Sequence, residues 1–73
     1  MHQAHLERPI LRALETESSM HVIDLAERLE AHPVTVDLAC DRLYEEGCLA
    51  PSSQGTYAVT ERGRRRLEAS VDG

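Results

Sequence analysis

The stretch VIDLAERLEAHPVTVDLACDRLYEEGCL, residues 22–49, organises the rest of the chain. In its first part the apolar residues recur at helical spacing, while acidic and basic residues occupy the positions between them. This pattern predicts an amphipathic helix of about two turns. The residues on its inward face are Val22, Leu25, Ala26 and Leu29.

A second helix follows after a tight turn of about three residues. His32 stands at the capping position, and Pro33 occupies the first helical position, where a missing N–H costs nothing. Gly47 provides the stop signal at the other end. The inward-facing positions of this helix are predicted to be Val36, Cys40 and Leu43.

The flanking segments predict one helix and a short extended strand at Met20 and His21 before this pair, and a hairpin and a last helix after it. The segment HLERPILRALETE has helical periodicity, but Pro9 is tolerable only if the helix begins close to it. Residues 48–50 and 56–59 are strand candidates separated by PSSQG, which is typical turn chemistry. Thr60 then precedes the arginine-rich segment ERGRRRLE, where its hydroxyl can cap the last helix.

This order of elements resembles the winged helix-turn-helix of MarR-like and PadR-like transcription regulators, small prokaryotic or archaeal proteins. The resemblance rests on DLAERL, HPVTV, RLYEEGCL and YAVTERGRRRLE, and covers residues 6–67 of a single domain, residues 1–73. It implies an α+β, mainly α, fold: a three-helix bundle with a C-terminal β-hairpin, the wing, and a short fourth helix. The expected core residues are Ile10, Leu14, Leu25, Leu29, Val36, Cys40, Leu43 and Leu67.

The function that this resemblance implies is sequence-specific binding of double-stranded DNA, with the second helix of the motif in the major groove. The residues expected to face bases are Val34, Thr35, Asp37, Leu38, Asp41 and Arg42. Those expected to contact phosphates are His32, Ser53, Gln54, Thr56, Arg62, Arg64 and Arg65. A homodimer is also expected, because one recognition helix gives little specificity alone, with Leu11 and Val71 as candidate contacts.

The charge distribution favours a second hypothesis. The chain carries a net charge of −5, and its basic residues are all arginines. Residues 33–46 contain four acidic residues and one arginine, a net charge of −3. DNA affinity comes mostly from phosphate neutralisation, so an acidic recognition helix is also compatible with a winged-helix module that docks a protein partner. The last-helix arginines could equally form a solvated face paired with nearby glutamates. An acidic, lysine-free composition suits concentrated salt or a GC-rich genome.

Other chemistry is not indicated. Two cysteines are too few for a disulfide framework, and their spacing with His2, His5, His21 and His32 matches no structural zinc site. Cys40 and Cys48 are therefore interpreted as buried apolar residues, and Tyr44 and Tyr57 as half-buried packing residues. No nucleophile motif or glycine-rich phosphate loop is present, so neither an enzyme nor a cofactor is predicted. No apolar run reaches membrane-spanning length, and the expected location is cytoplasmic.

Overall fold

The computed structural model describes residues 4–52 and 55–69, in which four helices surround a small antiparallel sheet. The elements are α1 (Ala4–Glu17), β1 (Ser19–His21), α2 (Val22–Leu29), α3 (Pro33–Glu45), β2 (Leu49–Pro51), β3 (Thr56–Val59) and α4 (Glu61–Ala69). Their order matches the order that the sequence predicts. No helix within these ranges is long and apolar enough to cross a membrane.

The two helices of the motif begin and end with local hydrogen bonds. At each start a histidine, His21 or His32, accepts a bond from the backbone N–H two residues later, and both bonds are 3.1 Å. An accepting Nδ1 places the proton of a neutral imidazole on Nε2. At the end of α3, Gly47 lies in the left-handed region with φ +81°, and Cys48 donates to the Leu43 carbonyl at 2.8 Å. This pattern is a Schellman cap.

The sheet has the strand order β1-β3-β2, so the wing hairpin pairs with the short strand that precedes α2. Leu49 lies opposite Val59, and Met20 lies opposite Tyr57. Because side chains alternate along a strand, these four residues share the face that packs on the helices. The sequence predicts β2 one residue too early, because the N–H of Cys48 is used to cap α3 and cannot join the ladder.

The core contains nearly all the predicted residues. Leu29 is the exception, because it is only partly buried at the edge of the cluster. The prediction of Leu11 as an exposed apolar residue available for dimer contact is wrong: it is 2% exposed and packs against Gly63 of α4. Tyr44 is 53% exposed, in line with its predicted half-burial. Val71 lies outside the described residues.

The first helix starts earlier than its sequence suggests. It begins at Ala4, so Pro9 lies five residues inside it. Proline removes one backbone donor there, but Pro9 is on the exposed side of the helix, while the neighbouring Ile10 and Leu11 are buried. Burial of these two side chains against the bundle offsets the lost hydrogen bond, and the helix continues through the proline.

Candidate functional site

The exposed face of α3 is the part of the structure that most resembles a reading surface. Every residue that the sequence predicts to face bases is exposed, because Val36, Ala39, Cys40 and Leu43 take all the buried positions of the helix. Val34 is 60% exposed and Leu38 is 47% exposed, which is unusual for branched aliphatic side chains. The residues of this reading face are Val34, Thr35, Asp37, Leu38, Asp41 and Arg42.

Arg42 is the only basic residue on this face, and its side chain lies close to α1. Its Nε lies 3.8 Å from the Oε2 of Glu7 in α1, although the arginine side chain remains 60% exposed. Glu7 itself is only 7% exposed and also accepts from Arg66 of α4 at 2.6 Å. Arg66 in turn contacts Glu46, the C-cap residue of α3. The hydrogen bond to Glu46 is the main reason why the pKa of Arg66 is raised.

The α4 arginines therefore have different surroundings. Arg66 belongs to a four-residue ion cluster that joins α1, α3 and α4, formed by Glu7, Arg42, Glu46 and Arg66. Arg65 lies 3.3 Å from Glu61 in the same helix, with both side chains about three-quarters exposed. Arg62 and Arg64 are exposed, and no ion pair to either is found within residues 4–52 and 55–69. The interpretation of these arginines as a solvated face paired with glutamates thus describes Arg66 and Arg65 better than Arg62 and Arg64.

The predicted phosphate-contacting residues do not form one patch. Arg62 covers Gly47, since a Cβ added to that glycine would lie 3.2 Å from the arginine Cδ. Arg62, Arg65 and Arg66 line an open depression of about 460 Å³ beside Glu46. This region is at the C-terminal end of α3, about 18 Å along the helix from Val34 at 1.5 Å per residue.

The remaining predicted phosphate contacts lie at the other end of the motif or cannot be placed. His32 caps the start of α3, and Thr56 begins β3 opposite His21. Gly55, in the turn of the wing, has φ +73° and lies under the His21 ring, where an added Cβ would clash with Nε2. His21 thereby connects the start of α2 to the wing, a contact that the sequence pattern does not reveal. Ser53 and Gln54 lie outside the described residues.

The junction between the wing and α4 depends on Thr60. Its hydroxyl donates to the Gly47 carbonyl at 2.6 Å and accepts from the Gly63 N–H at 3.1 Å. One side chain thus caps α4, as the sequence predicts, and also satisfies a carbonyl at the end of α3. The sequence predicts the bond from the Gly63 N–H but not the bond to the Gly47 carbonyl, because the latter joins residues 13 positions apart.

The two cysteines are free and buried, as interpreted from the sequence. Within the described ranges, no group of three or more His, Cys, Asp or Glu residues could hold a metal ion. Burial, reinforced by the carboxylates of Asp37 and Asp41, raises the pKa of the Cys40 thiol from 9.0 to about 12. A thiol with this pKa stays protonated and unreactive near neutral pH.

This raised pKa predicts a loss of stability in alkali. Between pH 9 and 12 the unfolded chain loses the Cys40 proton while the folded chain keeps it, so the free energy of unfolding falls with rising pH. The expected slope from this thiol is about 1.4 kcal/mol per pH unit. The pKa of Tyr57 is also raised, chiefly by burial, and adds a decline of the same sign. Urea unfolding between pH 8 and 10.5 measures the slope.

The matched variant for this measurement is Cys40→Ala. It should be less stable near neutral pH, because a buried side chain is shortened, but its stability should decline much less steeply above pH 9. The chain has no lysine, so few other groups titrate in this range. Equal slopes in the two proteins would show that the thiol is not the cause.

Solved structures of bacterial and archaeal proteins share this architecture. A MarR family transcriptional regulator from Streptomyces coelicolor matches with a TM-score of 0.85 and 27% identity, over 93% of this chain and 51% of that one. The YusO protein from Bacillus subtilis matches with a TM-score of 0.78 and 26% identity, over 85% and 48%. The transcriptional regulator BldR from Sulfolobus solfataricus has the same fold, with a TM-score of 0.81 at 23% identity, over 93% and 52%.

These matches confirm the predicted fold, a MarR-like winged helix. The chain spans about half the length of these solved structures. No protein-family model matches the sequence, and no curated protein is significantly similar to it.

Proposed function

We propose that this MarR-like winged helix is a double-stranded-DNA-binding domain of a transcription regulator, with α3 in the major groove and the wing beside it. The observation that carries the proposal is that the reading face of α3 is exposed. In a helix-turn-helix of this fold, α3 is the helix that enters the major groove. The structural neighbours are transcriptional regulators, which supports the same function.

Base contacts and phosphate contacts are assigned to different parts of the domain. Val34, Thr35, Asp37, Leu38 and Arg42 are the candidates for base edges. His32, Thr56, Arg62, Arg64 and Arg65 are the described candidates for phosphates, with Ser53 and Gln54 of the wing turn as further candidates. A groove-bound helix is flanked by phosphates of both strands, so cations near one end of α3 can hold the backbone while the other end reads bases.

The proposal is tested by titrating labelled duplexes, random and genomic, across a range of salt concentrations. We expect Arg62→Ala and Arg65→Ala to weaken binding to all sequences to a similar extent and to lower the salt slope by about one. Thr35→Ala is expected instead to change the ranking of sequences, because this residue is assigned to base edges.

Arg28→Ala provides the matched control, because it removes an exposed arginine of α2 that pairs with Glu17 at 2.9 Å. It should leave both the affinity and the salt slope nearly unchanged. Loss of sequence preference without loss of affinity in the Arg65 variant would contradict the phosphate assignment. Absence of duplex binding at every moderate salt concentration would overturn the proposal and favour a protein partner on the acidic face.

We further propose that two copies bind together. A single small domain buries about 600–1,000 Å² on DNA, which supports only modest specificity. Leu11, which the sequence offers as a dimer contact, is buried within one chain and therefore cannot belong to the surface between the two copies. The mass of the DNA complex by light scattering tests this point, and one chain per duplex site at saturation would contradict it.

A further inference from the structure

We propose that the reading face recognises pyrimidine edges, with Val34 and Leu38 against thymine methyl groups and Asp37 and Asp41 accepting from cytosine amino groups. This inference rests on the proposed DNA-binding function and specifies its target. It follows from the chemical groups that α3 exposes and from the position of its single arginine.

The first observation is the exposed aliphatic pair. Val34 and Leu38 are four residues apart and therefore stand on one side of the helix. They are 60% and 47% exposed, and the fold does not need these side chains for its core, because other residues of α3 fill it. The thymine methyl is the one apolar group that base pairs present in the major groove. Contact with it would remove these two side chains from water.

The second observation concerns hydrogen bonding. Asp37 and Asp41 offer only acceptors when ionised, and both are exposed on the same helix. Guanine presents two acceptors in the major groove, so a carboxylate cannot bind it, whereas cytosine presents a single amino donor. Adenine presents a donor beside an acceptor, which makes it a poorer partner for a carboxylate than cytosine.

The third observation is that the usual guanine contact depends on one arginine, which also pairs with another helix. Arginine is the commonest reader of guanine, but Arg42 is the only arginine between residues 33 and 46 and its Nε lies 3.8 Å from Glu7. The remaining donor of the reading face is the Thr35 hydroxyl. A face with two aliphatic side chains and two carboxylates matches a strand rich in thymine and cytosine better than one rich in guanine.

The experiment starts from duplexes selected out of a random pool. In the best duplex, each thymine is replaced in turn by deoxyuridine, which lacks only the methyl group, and affinity is measured by fluorescence anisotropy at fixed salt. At one or two positions we expect affinity to fall about fourfold, the effect of burying one methyl-sized group. Replacing guanine by 7-deazaguanine, which removes the N7 acceptor, should have no effect.

Two variants connect the effect to named side chains. In Leu38→Ala the ratio of thymine to uracil affinity should fall towards one at the position that Leu38 contacts. In Asp37→Asn the preferred base should change from cytosine to adenine, because an amide can both donate and accept. Ile23→Ala, which shortens an exposed aliphatic residue of α2, should leave the thymine-to-uracil ratio unchanged.

The outcomes separate the two proposals. Tight duplex binding with no thymine-to-uracil effect at any position overturns the pyrimidine readout and leaves DNA binding intact. A large loss on 7-deazaguanine substitution also overturns it, because it would show that a donor such as Arg42 reads guanine. Failure to bind any duplex overturns DNA binding itself.

Discussion

Replacing Gly63 with alanine is expected to lower the free energy of unfolding by about 1–3 kcal/mol, the typical cost of overpacking. A Cβ at this position would lie 2.5 Å from the Cys48 carbonyl oxygen and 2.6 Å from Val59 Cγ2. The carbonyl cannot move easily, because it accepts from the Thr60 N–H at 3.0 Å. Alanine should otherwise favour a helix by about 1 kcal/mol over glycine, so the close contact must exceed that gain.

Urea unfolding of the wild type and the variant measures this difference. Arg64→Ala is the matched control, because it makes alanine at the next residue of α4, where the side chain is exposed. It should change stability by less than about 0.5 kcal/mol, as exposed substitutions usually do. A Gly63→Ala protein more stable than wild type would mean that α4 does not pack this closely on the wing.

Replacing Arg66 with alanine is the second large effect, with an expected loss of about 2–3 kcal/mol. Glu7 is 7% exposed, and loss of Arg66 leaves it with the longer contact to Arg42, at 3.8 Å. Breaking a buried ion pair from one side costs about 3–5 kcal/mol. The expected value is lower because the Arg66 side chain is 40% exposed and water screens part of the interaction.

A second substitution identifies the cause of this loss. In the Arg66→Ala background, Glu7→Gln removes the unpaired charge and should restore part of the stability, whereas the same change in the wild type should be destabilising. Arg65→Ala serves as the control, since it removes an exposed arginine whose ion pair lies within α4 and should cost less than about 1 kcal/mol. Additive effects of the Glu7 and Arg66 substitutions would contradict the proposed coupling.

The fold could be predicted from the sequence where local signals determine it. The helical spacing from Val22 to Leu43, the caps at His32 and Gly47, and the Thr60 start of α4 depend on neighbouring residues, and the structure has them as predicted. The misses involve distant partners. Leu11 is buried because Gly63, 52 positions away in the sequence, packs against it. The pattern of residues within one helix cannot predict this contact.

The candidate site shows the same division. Helical periodicity alone predicts which α3 residues are exposed, from Val34 to Asp41. It cannot show that Arg42 turns towards Glu7, or that Arg66 is held by two glutamates on other elements, because these contacts depend on how the helices pack. The sequence therefore predicts the composition of the reading face better than the availability of its cations.

The net charge of −3 over residues 33–46 also has a kinetic consequence. Proteins with basic surfaces are steered to DNA and slide along it, which raises their association rates well above those of uncharged partners. A domain whose reading helix is acidic gains little from steering, so encounters with DNA should occur at the ordinary rate of about 10⁵–10⁶ M⁻¹s⁻¹. Its occupancy of a target would then depend mainly on how slowly it dissociates.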